Sequence, residues 1–130
     1  MIADSSFLIA LFMEEDEHYN KACEEFFNCK NQKILIPDRV LEEVFTVFTY
    51  KRGIIFAIAV LEKINQNQCF VFYNIDLIEQ KRIFQIIKET KTRMSFIDYC
   101  IAYLTVSRSE SLLCYDQGIK NFIKKYKSFI

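Results

Sequence analysis

A layered α/β domain on a mainly parallel sheet is the fold class this sequence predicts, and three observations predict it. Four short apolar runs alternate with stretches whose apolar residues recur at three- and four-residue spacing, the pattern of strands set between amphipathic helices. Only two glycines and one proline occur in 130 residues, which suits a helix-rich globular protein with short loops. Two of the apolar runs end in an aspartate directly followed by a helical pattern, IAD before SSFLIALF and LLCYD before QGIKNFI. That junction is how a parallel sheet builds its ligand-binding carboxyl edge.

Residues 1–4 are too short for a helix and predict the first buried strand, followed by helical patterns over Phe7 to Met13 and Tyr19 to Phe27. ILI at 34–36 predicts the second strand, and Val40 to Tyr50 and Phe56 to Ile64 the next two helices. The longest apolar run, Ile54 to Leu61, falls in the last of these and reads as part of a buried helix. It is far short of the ~18 residues of a membrane span. CFVFY at 69–73 predicts the third buried strand, Ile78 to Ile87 and Phe96 to Val106 two more helices, and LLCY at 112–115 the fourth strand. The expected architecture is a three-layer α/β/α sandwich, with residues 1–130 as one domain of common size.

Composition narrows the chemistry. The chain is 52% hydrophobic and 26% charged with zero formal net charge, a globular and not a disordered balance. The N-terminal apolar run has no basic residues before it and carries an acid at position 4, so it predicts no signal peptide and a cytoplasmic protein. Cys23, Cys29, Cys69, Cys100 and Cys114 form no C-x-x-C pair, and reduced core thiols account for them better than disulfides or zinc. His18 is the only histidine and reads as a surface residue, which removes the usual base of Ser-His and Cys-His catalysis. Residues 1–43 hold ten acids and four bases, and residues 44–130 seven acids and thirteen bases. That asymmetry leaves room for a nucleic-acid track beside an acidic pocket.

Four acids stand where water would not be expected. Asp4 and Asp116 terminate predicted strands, and helix capping accounts for either one as well as function does. In DRVLEEVFTVF, Glu42 has Asp38, Arg39, Phe45 and Thr46 three and four residues away, whereas Glu43 has Arg39, Val40, Thr46 and Val47; Glu43 therefore sits at the edge of the apolar stripe. Asp98, in SFIDYCIAYLTV, has Met94, Ser95, Ile101 and Ala102 at the same spacings. Ser95 and Asp98 also match a capping box, which explains part of the carboxylate's tolerance. Four carboxylates gathered in one crevice could not all ionise near neutral pH without cations between them. An all-oxygen set selects a hard ion, Mg²⁺ or Mn²⁺, and with it phosphoester chemistry.

The order of a strand-end aspartate near the N-terminus, VLEEVFTVF in the middle, SFIDYCIAYLT later and LLCYD last resembles the PIN-domain ribonucleases, in particular the small VapC-like toxins of toxin–antitoxin pairs. The resemblance spans essentially the whole chain. It implies that Asp4, Glu43, Asp98 and Asp116 form the metal site and that the Ser6 hydroxyl supports it. It further implies Mg²⁺- or Mn²⁺-dependent cleavage of RNA, a small antitoxin partner, and a homodimer. Two departures fall at the last motif: Cys114 stands where the family often has Thr or Ser, and Gly118 where it often has a further acid or polar residue, so Asp116 is expected to bind metal more weakly. Lys51, Arg52, Lys120, Lys124 and Lys125 are candidates for phosphate contacts, with a solvated helix face as the plainer reading. Two alternatives compete with the ribonuclease. A phosphatase or phosphoacceptor would show a D-x-D start or a late strand-end lysine, and here Ser5 and Ser6 follow Asp4; a weak or inactive PIN-fold module acting through protein or RNA binding is the more serious.

Overall fold

A computed structural model describes all residues, 1–130. The chain runs β1 (Ile2–Ala3), α1 (Ser5–Phe12), α2 (Tyr19–Asn28), β2 (Ile34–Pro37), α3 (Asp38–Arg52), α4 (Ile54–Gln66), β3 (Phe70–Tyr73), α5 (Leu77–Thr90), α6 (Phe96–Ser107), β4 (Leu112–Leu113) and α7 (Gln117–Tyr126). The four strands form one sheet in the order β3-β2-β1-β4, and every pair is parallel, with Ile2 opposite both Leu35 and Leu112. Helices α1 to α4 pack mainly on one another, while α6 joins α5, α7 and β1. The layered α/β expectation holds.

Local chemistry sets the boundaries. α1 begins two residues before the predicted Phe7 because Asp4 caps it, accepting from the Ser6 N–H. α5 starts at a complete capping box, Asp76 with Glu79. α3 turns into α4 at Gly53, whose φ of 89° is a conformation that side-chain-bearing residues rarely adopt. The core is one cluster of 30 buried residues, among them Phe7, Phe48, Ile36, Ile101 and Leu104.

Two burial expectations are corrected. α4 is not a buried helix: Ala57, Val60 and Ile64 face inward, while Ile54, Ile55 and Ile58 stay exposed. An apolar run records composition but not how many sides of the helix find a neighbour, and α4 packs chiefly on α3. β3 is likewise only half covered, with Phe70 buried and Val71 and Phe72 exposed, because it is an edge strand. Of the cysteines, Cys29, Cys100 and Cys114 are buried, Cys23 and Cys69 partly so, and all five are free thiols. No helix is long and apolar enough to cross a membrane.

Candidate active site

Strand order locates the site. From β1 the chain builds outward through β2 and β3, then returns to place β4 on the other flank of β1. The switch point of this sheet therefore lies between β1 and β4, and the crevice at its carboxyl edge is the expected ligand site. Asp4 follows β1 directly and Asp116 lies just past β4. The Asp4 N–H still bonds the Leu113 carbonyl at 3.0 Å, which ties the two strand ends together.

Asp4 is only 2% exposed. Its Oδ2 accepts from Ser6 Oγ at 2.7 Å, from the Ser6 N–H at 3.3 Å and from the Cys114 thiol at 3.4 Å. Its Oδ1 is buried and has no hydrogen-bond partner, an arrangement that costs ~1–3 kcal/mol or more for a charged group. Glu43 and Asp98 complete the gathering from α3 and α6. Glu43 is half-buried where Glu42 is exposed, as the stripe geometry predicts. Burial raises the Glu43 carboxyl above its ordinary range; the neighbouring Ser5 side chain opposes this, and the charges of Asp4, Asp98 and Asp116 add to it. Burial raises Asp98 as well, opposed by the Ser95 side chain and reinforced by Asp116 and Asp4. Ser95 caps α6, its Oγ accepting from the Asp98 N–H at 3.2 Å. The four acids therefore share one crevice closely enough to feel each other's charge.

A family model for the PIN domain matches residues 1–125. The chain belongs to the PIN-domain family. Among solved structures, the fold is similar to the Mycobacterium tuberculosis toxin VapC20, described as cleaving the sarcin–ricin loop, with a TM-score of 0.78, 16% identity and 92% of each chain covered. It is also similar to VapBC2 from Rickettsia felis bound to a DNA fragment from their promoter, with a TM-score of 0.67, 12% identity, 92% of this chain and 90% of that one covered. No curated protein matches the sequence significantly.

In this PIN domain, no three His, Cys, Asp or Glu groups are drawn close enough to close on one ion as they stand. The donor set nonetheless fits a hard divalent cation. It is all oxygen, it contains an orphaned buried carboxylate oxygen on Asp4, and a loose acidic crevice suits Mg²⁺, which keeps several waters and uses few carboxylates. Asp116 divides its duties. Oδ1 caps α7, accepting from Gly118 and Ile119 N–H at 2.8 and 3.3 Å, which leaves Oδ2 for a ligand. A Cβ at Gly118 would approach that Oδ1 to 3.0 Å, so glycine here allows the tight cap.

Cys114 takes over work that a hydroxyl would do. Its thiol is buried, donates to Asp4 Oδ2 and accepts from the Asp116 N–H at 3.1 Å. Burial, with the Asp4 charge behind it, pushes the thiol up to about 12, so it remains a donor at neutral pH. Cys114→Thr or Ser is expected to preserve Mn²⁺ affinity, whereas Cys114→Val should weaken it by about tenfold, as losses around metal ligands do; titration of Mn²⁺ against thermal stability measures both. Sequence reasoning missed Ser5, buried beside Glu43; a second serine directly after Asp4 was the available signal. Of the basic candidates, Arg52 is spent on Glu15, at 2.6 and 3.0 Å. Lys51, Lys120, Lys124 and Lys125 are exposed.

The raised carboxyls have a consequence for stability. Where the folded pKa exceeds the unfolded one, the native state holds more protons, so stability falls as pH rises from the unfolded values of 4.5 for Glu43 and 3.8 for Asp98 through the raised folded ones. In EDTA, melting temperature should therefore carry a component that declines with rising pH across this window. A bound cation removes the repulsion and competes with protons. Mn²⁺ at a hundred times its Kd should add about 2.7 kcal/mol at pH 7.5 and distinctly less at pH 5, readable as melting shifts.

Proposed function

We propose that this chain is a Mg²⁺- or Mn²⁺-dependent endoribonuclease and the toxin of a toxin–antitoxin pair, acting in the cytoplasm as a homodimer. The observation that carries the reading is the buried Asp4 with an unpartnered Oδ1, set among Glu43, Asp98 and Asp116 at the switch point of the sheet. Asp4, Glu43 and Asp98 would hold the cation and Asp116 Oδ2 would complete the set. When bound, such an ion acidifies water and stabilises developing charge on phosphate oxygens. Ser6 and Cys114 hold Asp4 Oδ2 and so fix where Oδ1 points. The Gly118 and Ile119 N–H groups fix Asp116 in the same way. No protein nucleophile is needed, in keeping with His18 as the sole histidine.

RNA as substrate is supported by the likeness to VapC20, and an antitoxin partner by the likeness to VapBC2. Exposed Tyr50, Ile54, Ile55 and Ile58 around the α3–α4 turn offer apolar surface for a second subunit. The test is hydrolysis of single-stranded RNA with Mn²⁺ and with EDTA: internal cleavage with the metal alone is expected. A folded, Mn²⁺-loaded protein that leaves RNA intact would favour the weak or inactive module. That second reading draws on the open spacing of the acids and on the capping duty of Asp116.

A further inference from the structure

His18 is an unfavourable choice by the rules of local structure. It occupies the N-cap of α2 without making a side-chain capping bond, where Ser, Thr, Asp or Asn would satisfy a backbone N–H. Its polar contact is a 3.5 Å approach of Nε2 to the exposed Glu17, a surface pairing of small worth. The imidazole instead lies on the ring of Tyr115, with centroids 4.5 Å apart and planes within 19°. Its side chain remains 40% exposed, so the outer part of the stack is reachable from solvent.

Tyr115 is fixed rigidly to the acidic centre. It lies between Cys114 and Asp116 in the chain, its N–H donates to Ser6 Oγ at 2.9 Å, and its hydroxyl donates to Glu25 Oε1 at 2.6 Å. Phe7 packs near its ring at 6.3 Å, and Lys21 Nζ stands 5.4 Å from the ring centroid. A two-ring ledge with one cation is thus carried on the residue that precedes Asp116, with its backbone tied to Ser6 beside Asp4. Asp16, Glu17 and Glu25 lie around it and disfavour a phosphate on the ledge itself. A base presents a flat face without that charge, and stacking tolerates any sequence.

We propose that His18, backed by Tyr115, is a stacking position for an unpaired base of the RNA strand whose phosphate lies at the acidic centre. The inference rests on the ribonuclease reading and adds a substrate-binding residue to it. The test compares kcat and KM for Mn²⁺-dependent cleavage of a single-stranded oligoribonucleotide by wild type, His18→Ala and His18→Phe, with melting temperature as the folding control. His18→Ala should raise KM about tenfold, in line with loss of one base–ring stack, and His18→Phe should restore it to within about twofold. One abasic position walked along the strand should raise KM for wild type and have no further effect on His18→Ala, the signature of a shared contact. Equal KM for wild type and His18→Ala, or additive losses at every abasic position, would overturn the stacking site while leaving the nuclease standing. Absence of any cleavage by folded wild type would remove the nuclease reading and the stacking site together.

Discussion

Asp4→Asn should reduce Mn²⁺-dependent RNA cleavage by more than about a hundredfold while leaving the metal-free fold intact or slightly stabilised. The opposite signs follow from one carboxylate. Asn still offers an oxygen to Ser6 Oγ and the Cys114 thiol, the groups that now hold Oδ2. The amide then occupies the place of the unpartnered Oδ1 and brings a donor, not a charge, to the crevice of Glu43 and Asp98. Repulsion among the acids falls, and the Glu43 carboxyl should move back toward its ordinary range, since Asp4 is the largest of the charges raising it. A cation held in this crevice would lose its most buried ligand. Losses in the surrounding shell alone cost about 10- to 100-fold in affinity or activity, so a direct ligand should cost more. Cleavage rates with and without Mn²⁺, with melting curves in EDTA, measure both signs; activity within tenfold of wild type would show that the acids are not a metal site.

Phe48→Ala should destabilise the protein by about 3–5 kcal/mol, a large part of the ~5–15 kcal/mol available to a domain. Phe48 is fully buried. Its ring meets Phe12 edge-on at 6.5 Å and Phe56 at 5.5 Å, so one side chain joins α1, α3 and α4. Removing it leaves a cavity at that junction and forfeits two aromatic contacts, and rigid neighbouring helices cannot collapse to fill it. For a chain of this length the melting temperature should fall by roughly 10–20 °C. Since α1 and α3 also carry the residues around Asp4 and Glu43, Mn²⁺ affinity should weaken in the same variant, whereas Lys63→Ala, at an exposed position, should leave both quantities nearly unchanged. Urea unfolding of the two variants in EDTA separates these outcomes.

Much of this molecule was legible in the chain because its signals are local. Apolar periods of three and four mark the helices, and strand-end aspartates followed by helical patterns mark the carboxyl edge of the sheet. Glu43 could be chosen over Glu42 because a helix face is a matter of spacing, and the structure buries Glu43 partly and leaves Glu42 exposed. Asp4 and Asp116 were balanced between cap and site for a physical reason: each carboxylate has two oxygens, and each is a cap as well as a member of the acidic crevice. α4 misled because eight apolar residues in a row do not state how many neighbours a helix will have.

By itself, the sequence determined that strands would alternate with helices, that acids and not histidine were the candidates for any catalysis, and that these acids would sit at element ends and stripe edges. Those properties depend on residues within a few positions of one another. Strand order decided the rest: only the return of β4 to the flank of β1 brings Asp116 beside Asp4 across 112 residues. The same closure strips water from Asp4 Oδ1 and sets the Cys114 thiol against Oδ2, and it lays His18 on Tyr115. Burial and charge repulsion are sums over neighbours from distant segments, which no local pattern encodes.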